Sequence, residues 1–163
     1  MASSSSSSTT PKIKHEVFLS FRGEETRKNF VSHLNDALCR EKMITFIDDK
    51  LDRGEKISPA LLSAIEQSKI SVVILSKGYG SSRWCLMELE KIIECKEKYG
   101  QTVIPVFYHV DPSDVRKQTG DFGKAFSQLE ERFKVDDPEM LQRWKSALTY
   151  IGNLSGFVSD NTR

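Results

Sequence analysis

The chain has 163 residues, of which 38% are hydrophobic and 29% are charged, and its formal net charge is +1. This length predicts one domain with a hydrophobic core, and the near-neutral charge gives little support to nucleic-acid binding, which needs a basic surface. The sequence has neither an apolar run long enough to cross a membrane nor a secretory signal. We therefore expect an intracellular protein, cytoplasmic with the nucleus as an alternative.

The N-terminal segment has a composition of its own. Residues 1–10 are almost all serine or threonine, which cannot bury enough apolar area to offset the entropy of ordering. We expect a disordered tail over residues 1–13 and one domain over residues 14–163. The cysteines Cys39, Cys85 and Cys95 match no disulfide framework or zinc ligand set, and the last two fall on a predicted helix as small apolar residues.

Short apolar runs rich in β-branched and aromatic residues alternate with amphipathic segments along the rest of the chain. The runs predict strands at residues 16–21, 43–47, 70–75 and 102–108, and a short one at 157–158. Pro105 removes one ladder donor, which favours an edge, a bulge or irregular pairing in the fourth strand. The alternation predicts an α/β fold, a doubly wound parallel sheet with right-handed crossovers.

Apolar residues at helical spacing predict helices between these strands. The predicted helix starts are a cap at Thr26, the Ser58-Pro59 pair, a cap at Ser81 or Ser82 after a loop over residues 76–80, Lys124, and Pro138. Residues 111–123 are rich in turn-forming residues, so we expect irregular structure there.

The stretch over residues 81–88 follows the third predicted strand and opens a helix that runs to about Tyr99. Ligands in open α/β sheets bind beyond the carboxyl ends of such strands. Trp84 and Glu88 are one helical turn apart, so an indole lies beside a carboxylate at the mouth of the predicted crevice. From spacing alone, the alternative stays open that Trp84 is a core aromatic residue and Glu88 a solvated one.

Several kinds of chemistry lack their sequence signatures. The chain contains no Gly-x-Gly-x-x-Gly motif, no P-loop and no Gly-x-Ser-x-Gly nucleophile elbow. His15, His33 and His109 have no cysteine or histidine partner at metal-ligand spacing, so we expect no metal site. A phospho-receiver domain shares the layer order, but it needs acidic residues in the regions where Arg22 and Ser76 stand.

A set of motifs over residues 15–158 resembles one known family. The motifs read VFLSFRGE (17–24), SHL (32–34), FIDD (46–49), RG (53–54), SRWCLMEL (82–89), VIPVFY (103–108), DPS (111–113), VR (115–116) and LSG (154–156). In this order they resemble the plant Toll/interleukin-1 receptor (TIR) domain, found in nucleotide-binding leucine-rich-repeat immune receptors and in TIR-only proteins. The resemblance implies a flavodoxin-like sheet of order 2-1-3-4-5 with helices on both faces. Members of this family usually continue into a final amphipathic helix. Because the chain ends at Arg163, the resemblance implies that this helix is lacking.

The resemblance also implies an activity, which is NAD cleavage at the nicotinamide–ribose bond on self-association, producing signals for plant defence and cell death. Glu88 matches the catalytic glutamate, and Trp84 matches the aromatic residue that packs against the bound nucleotide. Five further positions match substrate-binding residues, which are Phe21, Arg22, Asp48, Arg53 and Ser82. Self-association positions match Ser32, His33 and Gly156, the last together with residues 115–123. We expect Gly156→Arg to remove NAD cleavage and leave the fold intact, unless this glycine is only a helix stop that needs a positive φ.

NAD is then the substrate, with NADP as an alternative, and no cofactor is expected. Nicotinamide leaves as a neutral molecule, so one carboxylate that stabilises the developing oxocarbenium charge can suffice without a general acid. The expected partners are further copies of the chain, bound through two TIR–TIR faces, and lipase-like immune regulators. A non-catalytic TIR–TIR interaction module is the alternative function, and nucleic-acid processing is a weaker third.

Overall fold

Five strands form one parallel sheet in the computed structural model, which describes residues 12–23, 26–47 and 59–159. The strands are β1 (His15–Ser20), β2 (Thr45–Ile47), β3 (Ser68–Leu75), β4 (Thr102–Tyr108) and β5 (Phe157–Ser159). Their order across the sheet is β2-β1-β3-β4-β5, and every neighbouring pair is parallel. This order confirms the predicted doubly wound fold.

Six α-helices connect these strands in the described part of the chain. They are α1 (Ser32–Arg40), α2 (Pro59–Glu66), α3 (Arg83–Tyr99), α4 (Pro112–Lys117), α5 (Gly120–Phe133) and α6 (Pro138–Gly152). A π-helical turn, Arg27–Val31, leads into α1, and a 3₁₀ turn, Lys77–Ser81, precedes α3. None of the described helices is long and apolar enough to span a bilayer.

Side-chain caps explain several of the helix starts. The side chains of Ser82, Asp111 and Asp137 accept hydrogen bonds from backbone N–H groups at the starts of α3, α4 and α6. The predicted cap at Ser82 is thus confirmed. Gly100 ends α3 in the left-handed conformation with a φ of 73°, which glycine adopts without steric cost.

The predicted cap at Thr26 is wrong. Thr26 already has helical backbone angles, its side chain is buried, and it makes no capping hydrogen bond. Two other local predictions also differ, since the turn-rich segment contains helix α4 and the loop over residues 76–80 is largely the 3₁₀ turn. Helix α5 begins at Gly120, ahead of the predicted start at Lys124.

Pro105 lies within a regular part of β4. It pairs in register with Val73 of β3, so of the three predicted alternatives the bulge and the irregular pairing with β3 are wrong. On the other side of β4, pairing with β5 begins only at Val106, which pairs with Phe157. The proline therefore lies beside the beginning of a short partner strand, where one side of β4 is still unpaired.

The alternation of side chains along β1 separates two hydrophobic cores. Phe18 points into the larger core, which includes buried residues of α2, α3, α5 and α6. Val17 and Leu19 point to the opposite face, where the smaller core packs beneath the π-helical turn and α1. Helices thus cover both faces, as a parallel sheet requires.

Some predictions lie outside the described residues. Most of the predicted disordered tail falls in residues 1–11, and the predicted cap at Ser58 and the pocket positions Asp48 and Arg53 fall in residues 48–58. These remain predictions.

Candidate functional site

The site begins at the carboxyl end of β1. Phe18 and Ser20 lie on the same side of this strand, so the hydroxyl of Ser20 projects toward the face that carries the larger core. Ser20 is fully buried, whereas Phe21 and Arg22, which follow it, are partly exposed. The strand therefore delivers one buried hydroxyl just below the edge of the sheet where a ligand could bind.

Helix α3 brings Glu88 to this hydroxyl. Ser82 Oγ accepts a hydrogen bond of 3.1 Å from the Cys85 backbone N–H, which determines where the helix starts. Glu88 lies on the inward side of α3 with only 3% of its surface exposed. The Ser20 hydroxyl donates to Glu88 Oε1 across 2.6 Å. The alternative in which Glu88 is a solvated helix residue is therefore wrong.

Tyr79 of the 3₁₀ turn extends this network. Its hydroxyl oxygen lies 2.8 Å from Ser20 Oγ and donates to the Cys85 backbone carbonyl across 3.1 Å. Burial raises the pKa of Tyr79 well above its ordinary value, and the nearby Cys85 and Glu88 raise it further, whereas the hydrogen bond with Ser20 opposes the shift. Tyr79 therefore stays protonated and serves the site as a neutral hydroxyl.

Further contacts hold the start of α3 against the end of β1. The Cys85 thiol donates to the Phe21 carbonyl across 3.5 Å. Trp84 is partly buried and packs against the larger core, so its interpretation as a core aromatic residue is correct in part. Its position one turn before Glu88 still places the indole on the Glu88 side of the helix.

A crevice of about 580 Å³ opens at the same edge of the sheet. Its lining comes from the segments that follow β1, β3 and β4, and it includes Arg22, Lys77 and His109 together with three aspartates, Asp111, Asp114 and Asp121. Arg22 is thus a predicted substrate-binding residue that lies in a crevice at this edge, whereas Glu88, Trp84 and the other predicted site residues in the described part of the chain do not line it. The volume falls within the range of small-molecule sites.

Ser82 has a structural role that the sequence also predicted. It is buried, and its hydroxyl is engaged in capping α3. Its substrate-binding role, like those of Phe21 and Trp84, stays a prediction.

The predicted self-association residues differ in their surroundings. Ser32 and His33 are exposed on the outer side of α1, as the helical spacing predicts. In the second predicted face, Val115 and Phe122 are buried in the larger core, so only the polar residues between them are available at the surface.

Gly156 lies against its own sheet. A Cβ atom built there would be 2.1 Å from the carbonyl oxygen of Pro105, and its φ is not in the left-handed region. The expectation that Gly156→Arg leaves the fold intact is therefore wrong, and so is the alternative that this glycine needs a positive φ. Close approach of two backbones is the reason for glycine here.

Sequence reasoning missed two residues of the site, Ser20 and Tyr79. The only available signal was that Ser20 is the one polar residue in the run of residues 17–20, whose other three residues are apolar. Tyr79 gave none, because it lies in a segment that was predicted to be a loop.

Comparisons with known proteins identify the family. The model of the TIR domain matches residues 14–163. Disease resistance protein RPV1 of Vitis rotundifolia is 55% identical over 157 residues, which cover 94% of this chain and 11% of that protein. TMV resistance protein N of Nicotiana glutinosa is 53% identical over 157 residues, which cover 96% of this chain and 13% of that protein. This chain thus corresponds to a small part of each relative.

A solved structure agrees with this assignment. The TIR domains of the activated Roq1 resistosome, which directly recognises the pathogen effector XopQ, are 51% identical to this chain with a TM-score of 0.80. The match covers 91% of this chain and 90% of that one. The chain therefore belongs to the TIR domain family, and the relatives it matches are plant disease resistance proteins.

Proposed function

We propose that this TIR domain cleaves the nicotinamide–ribose bond of NAD and that Glu88 is its catalytic residue. The observation that carries the proposal is the position of Glu88, a buried acidic residue at the carboxyl end of β1, where it accepts a hydrogen bond from Ser20. Family membership adds support, because Glu88 and Trp84 stand in the motif whose counterparts the resemblance assigns to catalysis and nucleotide packing. NADP is an alternative substrate, and no cofactor is required.

One carboxylate accounts for the chemistry. Nicotinamide leaves a cationic ring as a neutral molecule, so the leaving group needs no proton from the protein. The remaining task is to stabilise positive charge that develops on the ribose, and a carboxylate with restricted access to water does this more strongly than a solvated one. Water, or a nucleophile of the substrate itself, then completes hydrolysis, cyclisation or transfer.

The experiment measures nicotinamide released from NAD by the purified chain at high protein concentration. Glu88→Gln removes the charge and nearly preserves the shape, so we expect turnover to fall by about a hundredfold to a thousandfold. Glu94→Gln, on an exposed position of the same helix, is the matched control and retains turnover. Equal turnover of the wild type and a folded Glu88→Gln variant would remove Glu88 from the mechanism.

We propose further that cleavage depends on self-association in the plant cytoplasm, as part of immune signalling to lipase-like regulators. The Roq1 TIR domains, to which this chain is similar, were solved in an activated resistosome. A misplacement of the catalytic group by about an ångström can cost on the order of a hundredfold in rate, and contact with a second subunit would fix its position. Specific activity should therefore rise with protein concentration. Constant activity per subunit from dilute to concentrated protein would contradict this dependence.

A non-catalytic TIR–TIR interaction module is the second candidate. The exposed Ser32 and His33 on α1 favour it, because an association surface needs accessible side chains and no buried carboxylate. Self-association without nicotinamide release at any concentration would support this candidate over the first.

A further inference from the structure

We propose that Ser20 is a positioning residue for the Glu88 carboxylate, and that Tyr79 in turn holds Ser20. The inference rests on the proposed function and adds two residues to its site. Its basis is a chain of three buried oxygen atoms just below the carboxyl end of β1, Tyr79 Oη, Ser20 Oγ and Glu88 Oε1, joined by contacts of 2.8 and 2.6 Å.

The contact between Ser20 and Glu88 is of the strong kind. A separation of 2.6 Å between a hydroxyl oxygen and a carboxylate oxygen is typical of a hydrogen bond assisted by charge. The two residues are 68 positions apart in the chain and come from different elements, β1 and α3. The bond therefore holds the carboxylate relative to the sheet, and not only relative to its own helix.

Ser20 and Tyr79 each have a single hydroxyl hydrogen to donate, and this count makes Tyr79 a donor to Ser20. Ser20 has one hydroxyl hydrogen, and the bond to Glu88 uses it, so Ser20 meets Tyr79 as an acceptor. Tyr79 has one hydrogen as well, which its two neighbours share, Ser20 Oγ at 2.8 Å and the Cys85 carbonyl at 3.1 Å. Donation by Tyr79 polarises the Ser20 hydroxyl and strengthens its bond to the carboxylate.

The competing explanation is that Ser20 merely satisfies its own buried hydroxyl. A serine in a strand can do so with a backbone carbonyl, as Ser68 does by donating to Ala64 across 2.8 Å. Ser20 instead donates to an ionisable side chain that the proposed reaction uses. A hydrogen bond of this kind favours the ionised carboxyl, which is the form that stabilises positive charge.

The test compares Ser20→Ala with a matched control on the same face of the sheet. Ser71 is buried on β3, where it pairs with Phe18 and shares the side of the sheet that faces the larger core, and its hydroxyl has no hydrogen-bond partner among the described residues. We expect Ser20→Ala to lower kcat about tenfold to a hundredfold, the effect of losing one hydrogen bond to a charged group, with little change in KM. Ser71→Ala keeps wild-type kcat, and Tyr79→Phe gives a loss smaller than that of Ser20→Ala.

The pH profile separates positioning from a general structural effect. Because the lost hydrogen bond favoured the charged form, the acidic limb of the kcat profile should move to higher pH in Ser20→Ala, by about one pH unit for a tenfold effect. An unchanged acidic limb, or an equal loss of kcat in Ser71→Ala, would overturn the inference.

A second measurement does not depend on turnover. The carboxyl carbon of Glu88 is followed by NMR against pH in protein labelled with ¹³C-glutamate, and Glu88→Gln identifies its signal. We expect this signal to titrate at higher pH in Ser20→Ala than in the wild type and at the wild-type pH in Ser71→Ala. If the wild type cleaves no NAD but the titration moves as expected, the proposed function fails while the hydrogen bond stands. Identical titration in Ser20→Ala and the wild type refutes the positioning role, whatever the activity.

Discussion

The two faces of the sheet differ in how completely their helices cover it. On the face covered by α2, α3, α5 and α6, large aromatic residues such as Trp144 and Phe126 are almost completely buried. On the face covered by α1, the buried residues are mostly aliphatic strand residues, and Leu34 and Leu38 of the helix are only partly buried. The first face is thus a thick core and the second a thin one.

The residues proposed for catalysis and those proposed for self-association lie on different faces of the sheet. Glu88 and its hydroxyl partners lie in the thick core, where a buried charged or polar group is tolerated only if hydrogen bonds satisfy it. Ser32 and His33 lie on the outer side of the helix that covers the thin core, where polar side chains are solvated. A catalytic carboxylate gains from rigid surroundings, whereas an association surface needs only accessible side chains on a stable helix.

The largest expected effect on stability comes from truncation in the thick core. Phe126→Ala should lower the free energy of unfolding by about 3–5 kcal/mol, because it removes a buried ring and leaves a cavity. Leu34→Ala, on α1, should lower it by about 1–2 kcal/mol, because that side chain is only partly buried against the smaller core. Denaturant unfolding of both variants gives the comparison, and equal losses would show that the two faces are equally well packed.

Gly156→Arg should destabilise the domain by about 1–3 kcal/mol, because its side chain must displace Pro105 or shift β5. Thermal unfolding followed by circular dichroism measures the loss. Ser155→Arg is the control, since this neighbouring residue is exposed. A Gly156→Arg variant as stable as Ser155→Arg would mean that β5 moves freely, and a failure to self-associate would then report on an interface.

The cysteines compare the two faces by chemical reactivity. Cys39 is exposed on α1, whereas Cys85 and Cys95 are buried on α3, and burial raises the pKa of the Cys95 thiol to about 11. A thiol reagent at neutral pH should modify Cys39 first, and the other two only after unfolding. Three equally fast reactions in native protein would contradict the burial of α3.

The shifted thiol also predicts a pH dependence. The folded state holds the Cys95 proton up to pH of about 11, whereas the ordinary thiol pKa is 9.0, so between these values the folded state binds more protons. Its contribution to stability is therefore complete below pH 9.0 and is lost as the pH rises through about 11. Between pH 9.0 and about 11, the free energy of unfolding should therefore fall less with rising pH in Cys95→Ala than in the wild type.

The smallest effect on stability is expected for Ser32→Ala combined with His33→Ala. Both side chains are exposed, so the free energy of unfolding should change by no more than about 0.5 kcal/mol. If α1 carries a self-association face, sedimentation of the variant should nevertheless show fewer oligomers than the wild type. An unchanged distribution would remove these two residues from the interface.

Much of the architecture could be predicted because it depends on local patterns. Runs of β-branched residues marked the strands, and the Ser82 cap with its following apolar spacing marked α3. Thr26 was misread because a threonine before an apolar stripe resembles a cap, whereas the structure continues the helix through it into a π-helical turn. Helix α4 was missed because its six residues are rich in turn formers.

The candidate site could be predicted only in part. The motif placed Glu88 and Trp84 on one side of α3, since residues four apart lie one above the other in any α-helix. Nothing in the motif indicated that the carboxylate faces inward. That depends on which side of α3 packs against the sheet, and Glu88 interrupts the apolar stripe that marks this side.

The sequence by itself therefore determined the alternation of elements, the family and the placement of Trp84 and Glu88 on one side of a helix, because each depends on residues that are near one another along the chain. The tertiary structure alone decided that Ser20, Tyr79 and Glu88 meet, and that Gly156 leaves no room beside Pro105. The reason is physical, since a hydrogen bond of 2.6 Å between residues 68 positions apart requires β1 and α3 to dock at one register. The local sequence pattern determines where each helix and strand lies along the chain, whereas the packing of the whole domain sets the distances between these elements.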